Sequence, residues 1–240
     1  MTRPRLLIVN PNTSASVTRW LAEETERVAS GRVEIAAVNA PSGLAAIETP
    51  DDLVRAEEAV VGAIEAETGA DAAIIGAFGD PGLMEARARL SIPVLGLGAA
   101  GLKAAANSGR FSIVTLGEAM RAALEERVRS LGLEGRLAEI RILPITIPEM
   151  IANREAHLGA IDEAIRLCVG DAVLLGGAPL AGLGAKMTEE TGVTVLDGVE
   201  ASVAAAMRML ELRFLRAMAT PPNVPPLPTA QVKPSTVPAV

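Results

Sequence analysis

Two stretches one hundred residues apart have the residue types to hold a small anion. They are "GAFGDPGL", from Gly76 to Leu83, and "GGAPLAGL", from Gly176 to Leu183. Each ends a longer segment, "DAAIIGAFGDPGL" from Asp71 and "DAVLLGGAPLAGL" from Asp171, and the two align without a gap. A glycine-rich loop that leaves a strand and opens a helix can offer backbone N–H groups to an anion. In the first loop Phe78 and Gly79 supply such donors, and the Phe78 ring can wall off water. In the second loop Pro179 has no N–H, so a ligand should sit closer to the first half of the chain. A third segment, "NPNTS", ends an apolar run at Asn10, whose side-chain amide can donate to a carbonyl; its alternative role is turn chemistry alone. Thr115 occupies the matching place in the second half.

Ionisable candidates are few. Asp80 can act as a general base, but Asp before Pro is also a common helix start, and capping of a helix beginning near Pro81 is the preferred reading. His157 reads as a structural residue in mid-helix beside Leu158, and Lys186 as a surface residue. Asp197 and Glu200 follow the last strand, with Glu200 solvated in the first turn of the final helix. Cys168, the one cysteine, reads as a core residue on an apolar helix face. Neither loop is a dinucleotide fingerprint, and no Gly-Lys-Ser/Thr phosphate loop occurs.

The elements that must position these residues alternate. Apolar runs at 5–10, 33–39, 72–77, 93–98, 111–116, 138–145, 172–177 and 193–198 read as strands covered on both faces, the pattern of a parallel sheet. Helical spacings lie between them. Val17, Leu21 and Val28 share one face, with Ser14 or Asn12 as N-cap. Met120, Leu124, Val128 and Leu131 share another, and Leu158, Ile161, Ile165 and Cys168 a third. A final helix at about 199–217 aligns Val203, Met207, Leu210 and Phe214. The expected fold class is α/β.

Three blocks repeat in order: Arg5 with Arg110, Asp71 with Asp171, and Val94 with Val195. Two pseudo-symmetric lobes follow, 1–97 and 98–198, with mainly parallel sheets, a cleft between them and the final helix packed back on the first. The loops after the strands lie at the sheet edge where α/β proteins bind ligands. Residues 219–240, with seven prolines, read as a disordered tail.

Composition excludes several classes. The net charge is −7, with Lys and Arg scattered, three Phe and no Tyr, which argues against nucleic acid. The N-terminal apolar run, about five residues ending in Asn-Pro-Asn, is shorter than a signal peptide core or a membrane span. A single cysteine permits no intrachain disulfide. The expectation is a cytoplasmic protein with a small-molecule substrate.

"VNPNTS", "GAFGDPGL", "PVLGLGAA", "RFSIVT" and "LDGVEAS" together resemble the hydantoin racemase branch of the aspartate/glutamate racemase superfamily, over about residues 4–210. The resemblance implies two pseudo-symmetric lobes, no cofactor, no metal and a homo-oligomer. It also implies a pair of cysteines on opposite faces of a carbon next to a carbonyl, one thiolate removing the proton and the other thiol returning it. Those positions are Ala77 and Gly177 in this chain, and neither can carry a proton. The expected function is therefore cofactor-independent, non-cysteine chemistry on a small carbonyl or carboxylate compound, hydantoin or amino-acid-like, with isomerase or lyase character. The alternative is a non-catalytic binder of small anions. The expected binding residues are Asn10, Ala77, Phe78, Gly79, Thr115, Gly177, Ala178 and Pro179.

Overall fold

A computed structural model describes residues 3–41 and 43–219, without the side chains of 216–219. The Pro-rich stretch from residue 220 lies outside the described residues. Two four-stranded parallel sheets carry the chain. The first contains β1 (Arg5–Asn10), β2 (Glu34–Asn39), β3 (Ala72–Ile75) and β4 (Val94–Gly96), in the order β2-β1-β3-β4. The second contains β5 (Phe111–Leu116), β6 (Leu137–Leu143), β7 (Ala172–Gly176) and β8 (Val195–Asp197), in the order β6-β5-β7-β8. The helices are α1 (Ala15–Ala29), α2 (Pro50–Ala66), α3 (Leu83–Arg89), α4 (Leu97–Asn107), α5 (Arg121–Ser130), α6 (Ile147–Ala152), α7 (Leu158–Arg166), α8 (Gly184–Thr191) and α9 (Gly198–Ala219).

The continuous apolar strands are explained by burial on both faces. Leu6 and Ile8 of β1 join a core with α1 and α9, while Leu7 and Val9 point the other way into a core with α2 and α3. In β5, Val114 and Leu116 face α6, α7 and α8, while Phe111 and Ile113 face α4 and α5. Period-two alternation thus separates two apolar cores, not core from solvent.

The repeat is visible in single hydrogen bonds. The Arg5 N–H donates to Asp71 Oδ2 at 2.8 Å, and the Asp71 N–H returns to the Arg5 carbonyl at 2.8 Å. Arg110 and Asp171 make the same reciprocal pair at 2.7 and 2.6 Å. Each aspartate therefore fixes the start of a central strand against its neighbour, which is why the two segments begin alike. Two arginines of the second half reach back to the first. Arg154 stacks on the Trp20 ring at 4.3 Å, and Arg127 pairs with Asp80.

Several expectations change. Val203, Met207 and Leu210 of α9 are buried, but Phe214 is 50% exposed, because the helix outruns the body it packs against. His157 is not in mid-helix; it closes a short 3-10 turn, Arg154–His157, ahead of α7. Cys168 lies two residues beyond α7, half-buried against the second core. The strand at 72–77 ends at Ile75, so Gly76 and Ala77 belong to the loop.

Candidate functional site

The loops after β1, β3, β5 and β7 converge at the carboxyl ends of both sheets and enclose a cleft of about 270 Å³. Ala77, Phe78, Gly79, Thr115, Gly177, Ala178 and Pro179 all line it, so the repeated loops do face one cavity. Leu53, Leu116, Met120 and Ile147 make most of the remaining wall apolar. A hydrogen bond formed there is stronger than one in water.

The donors are unspent. Among the described residues, the N–H groups of Ala77, Phe78 and Gly79 have no acceptor, nor do those of Gly177 and Ala178. Pro179 breaks the second run, leaving three donors on one side and two on the other. The first loop is held from behind by close backbone contact. A Cβ on Gly98 would lie 1.8 Å from the Phe78 carbonyl oxygen, so only glycine lets the start of α4 support the loop at this distance.

Asn10 is corrected as a ligand donor. It is 1% exposed and does not line the cleft. Its Nδ2 donates to Asn12 Oδ1 at 2.9 Å, Ser14 O at 3.1 Å and Thr18 Oγ1 at 3.0 Å. What it does is orient Asn12, which lines the cleft. Asn12 Oδ1 accepts from Asn10 and from the Ser14 N–H, so its own Nδ2, without a partner among the described residues, is the free amide donor. The turn after the strand moves the cleft-lining position two residues along, and "NPNTS" alone does not reveal which Asn lines the cleft. Ser14 is the N-cap of α1. Thr115 reaches the cleft, but its hydroxyl donates to the Gly176 carbonyl at 2.6 Å, so toward a ligand it can only accept.

Asp80 is corrected in both roles. It does not cap the following helix, whose N-cap is Gly82 without a side-chain bond, and it does not line the cleft. Asp80 adopts φ 51°, which turns its carboxylate inward. It accepts from the Gly98 and Ala99 N–H groups, at 2.8 and 2.7 Å, and from Arg127 Nη2 at 2.8 Å. It thus caps α4 from the loop after the neighbouring strand, β3. Burial pushes its carboxyl above the ordinary range, and Arg127 with the two N–H groups pulls it back. With every oxygen engaged, it is no general base for the cleft.

Ala77 and Gly177, where the resemblance implies cysteines, differ in shape as well as chemistry. Ala77 is buried at the cleft wall. Gly177 has φ 129°, a conformation that side-chain-bearing residues rarely adopt. Cys168 sits at the opposite end of the second sheet, where the Ser112 hydroxyl donates to Val169 O. Burial raises its thiol pKa, the opposite of what activates a thiolate nucleophile. Arg127, on the cleft wall, carried no sequence signal: it is one of several charges on α5, and only the tertiary fold singles it out.

Residues 6–206 match the family model described as Asp/Glu/Hydantoin racemase. A hydantoin racemase of a Pseudomonas strain is 31% identical over 215 residues, covering 87% of this chain and 86% of that protein. Allantoin racemase from Pseudomonas fluorescens superposes with a TM-score of 0.81 at 31% identity, over 87% of this chain and 92% of the other. Allantoin racemase from Klebsiella pneumoniae gives 0.81 at 29% identity, over 88% and 89%. The chain belongs to the Asp/Glu/hydantoin racemase family.

Proposed function

We propose that this protein is a cofactor-independent enzyme acting on a small carbonyl or carboxylate compound of hydantoin or amino-acid type through an enolate-like anion. The observation that carries the reading is the set of five unspent N–H groups, with the Asn12 amide, around one apolar cleft. Charge developing on a carbonyl oxygen would be stabilised there, each well-placed donor contributing on the order of 3 kcal/mol to the transition state. The racemases among its relatives are named for hydantoin and allantoin, which supports this substrate class. Proton movement falls to an ordered water, because neither Ala77 nor Gly177 titrates, Asp80 is fully engaged and the cleft's Glu126 is paired with Arg129.

A second reading is a binder without turnover. It is favoured by Gly177, whose backbone disfavours any side chain at the second thiol position. The deciding experiment follows exchange of the proton at C5 of 5-methylhydantoin in D2O by NMR, beside titration of the same compound by calorimetry. Exchange above the buffer blank supports the enzyme. Binding without exchange supports the binder.

A further inference from the structure

We propose that Arg127 is the binding residue for a carboxylate on the ligand, so that the cleft selects anionic compounds over neutral ones of the same ring. The inference rests on the cleft being the ligand site, as argued above, and names the class of ligand it takes.

The guanidinium has five N–H donors, and the protein uses one. Nη2 donates to Asp80 Oδ2 at 2.8 Å. Nε is buried without a partner. Nη1 has no partner among the described residues and is not buried, and the residue lines the cleft. An arginine kept only for an ion pair would ordinarily present its fork to the carboxylate with two parallel bonds; this one presents a single corner and leaves Nη1 without a protein partner among the described residues.

Asp80 does not consume the positive charge by itself. Its carboxylate is already met by the two N–H groups at the start of α4, where the helix end is positive. The pairing therefore anchors the guanidinium, while leaving a net positive potential at the wall. Among the described residues, the one other ionisable residue on the cleft, Glu126, is paired with Arg129. A planar guanidinium held by a buried carboxylate is well suited to grip a second carboxylate, with the loop N–H groups taking the ligand's carbonyl.

The test is calorimetric titration of the full chain with hydantoin-5-acetate and with 5-methylhydantoin, which share the ring and differ in the carboxylate. The expected result is a preference for the acetate of about tenfold or more, which is about 1.4 kcal/mol, weakening as salt is raised. Arg127→Lys keeps a cation beside Asp80 but loses the fork, and Arg127→Met loses both. In each variant, checked for a native melting curve, the preference should fall to about threefold or less. Equal affinities in the wild type, or tighter binding of the neutral ring, overturn the inference and leave the cleft reading standing. A preference that survives both substitutions also overturns it. Failure of the wild type to bind either compound overturns both.

Discussion

Asp80 and Asp197 cap equivalent helices from positions that are not equivalent in the repeat. Asp197 ends β8 and accepts from the Val199 and Glu200 N–H groups at 2.9 Å each, the counterparts of Gly98 and Ala99. In the first half the residue matching Asp197 is Gly96, and a Cβ there would lie 2.3 Å from the Asp80 carboxyl carbon. The first carboxylate comes instead from the loop after β3, where it also meets Arg127. The repeat has therefore kept a negative charge at both helix starts while moving the residue that supplies it, and only the first version ties the two halves together.

Asp80→Ala should cost about 3 kcal/mol in urea unfolding, because it uncaps α4 and leaves Arg127 without its partner. A loss under about 1 kcal/mol would show that the ion pair contributes little.

Asp197 sets a pH dependence. Burial, with Glu24 nearby, raises its carboxyl pKa from 3.8 to about 6. The unfolded chain then releases this proton at lower pH than the native state, so stability from this group is full below about pH 4 and falls as pH rises to about 6. The stability of wild type minus that of Asp197→Asn, measured by urea unfolding, should drop by about 1 to 3 kcal/mol between pH 4 and 7. A difference that rises with pH would contradict the assignment.

Glycine spacing separates support from slack. Gly98→Ala must push the Phe78 carbonyl away and should cost about 2 kcal/mol or more, with loss of ligand binding. Gly135→Ala meets nothing within 4 Å and should stay within about 0.5 kcal/mol. Thermal melts of the two variants make the comparison.

Asn12→Ala should weaken ligand binding by about 1 to 3 kcal/mol, leaving a ligand oxygen unpaired. Asn10→Ala should instead lower the melting temperature, since it removes four buried or half-buried hydrogen bonds. Calorimetry and melting curves on both variants distinguish the roles, and the reverse pattern would restore Asn10 as the contact.

The strands and their repeat were legible because burial on both faces leaves unbroken apolar runs, and because Asp71 and Asp171 recur at the start of each loop unit. Loop residues 77–79 and 177–179 followed from that register. Asn12 and Arg127 did not. The Asn that lines the cleft depends on how the turn after β1 folds back onto Thr18, and Arg127 matters only because α5 brings it to Asp80, 47 residues away. Phe214 was misplaced because helical periodicity gives a face and not the point where its neighbours end. Cys168 was assigned to a helix that ends two residues before it, and His157 to mid-helix although it precedes the first turn.

Thiol-independent chemistry at the cleft is tested most directly by C5 proton exchange of 5-methylhydantoin in D2O, before and after alkylation of Cys168 in denaturant and refolding. The account predicts exchange above the buffer blank that alkylation leaves unchanged and Asn12→Ala reduces by about tenfold or more. Exchange abolished by alkylation in correctly refolded protein, or undiminished by Asn12→Ala, would contradict it.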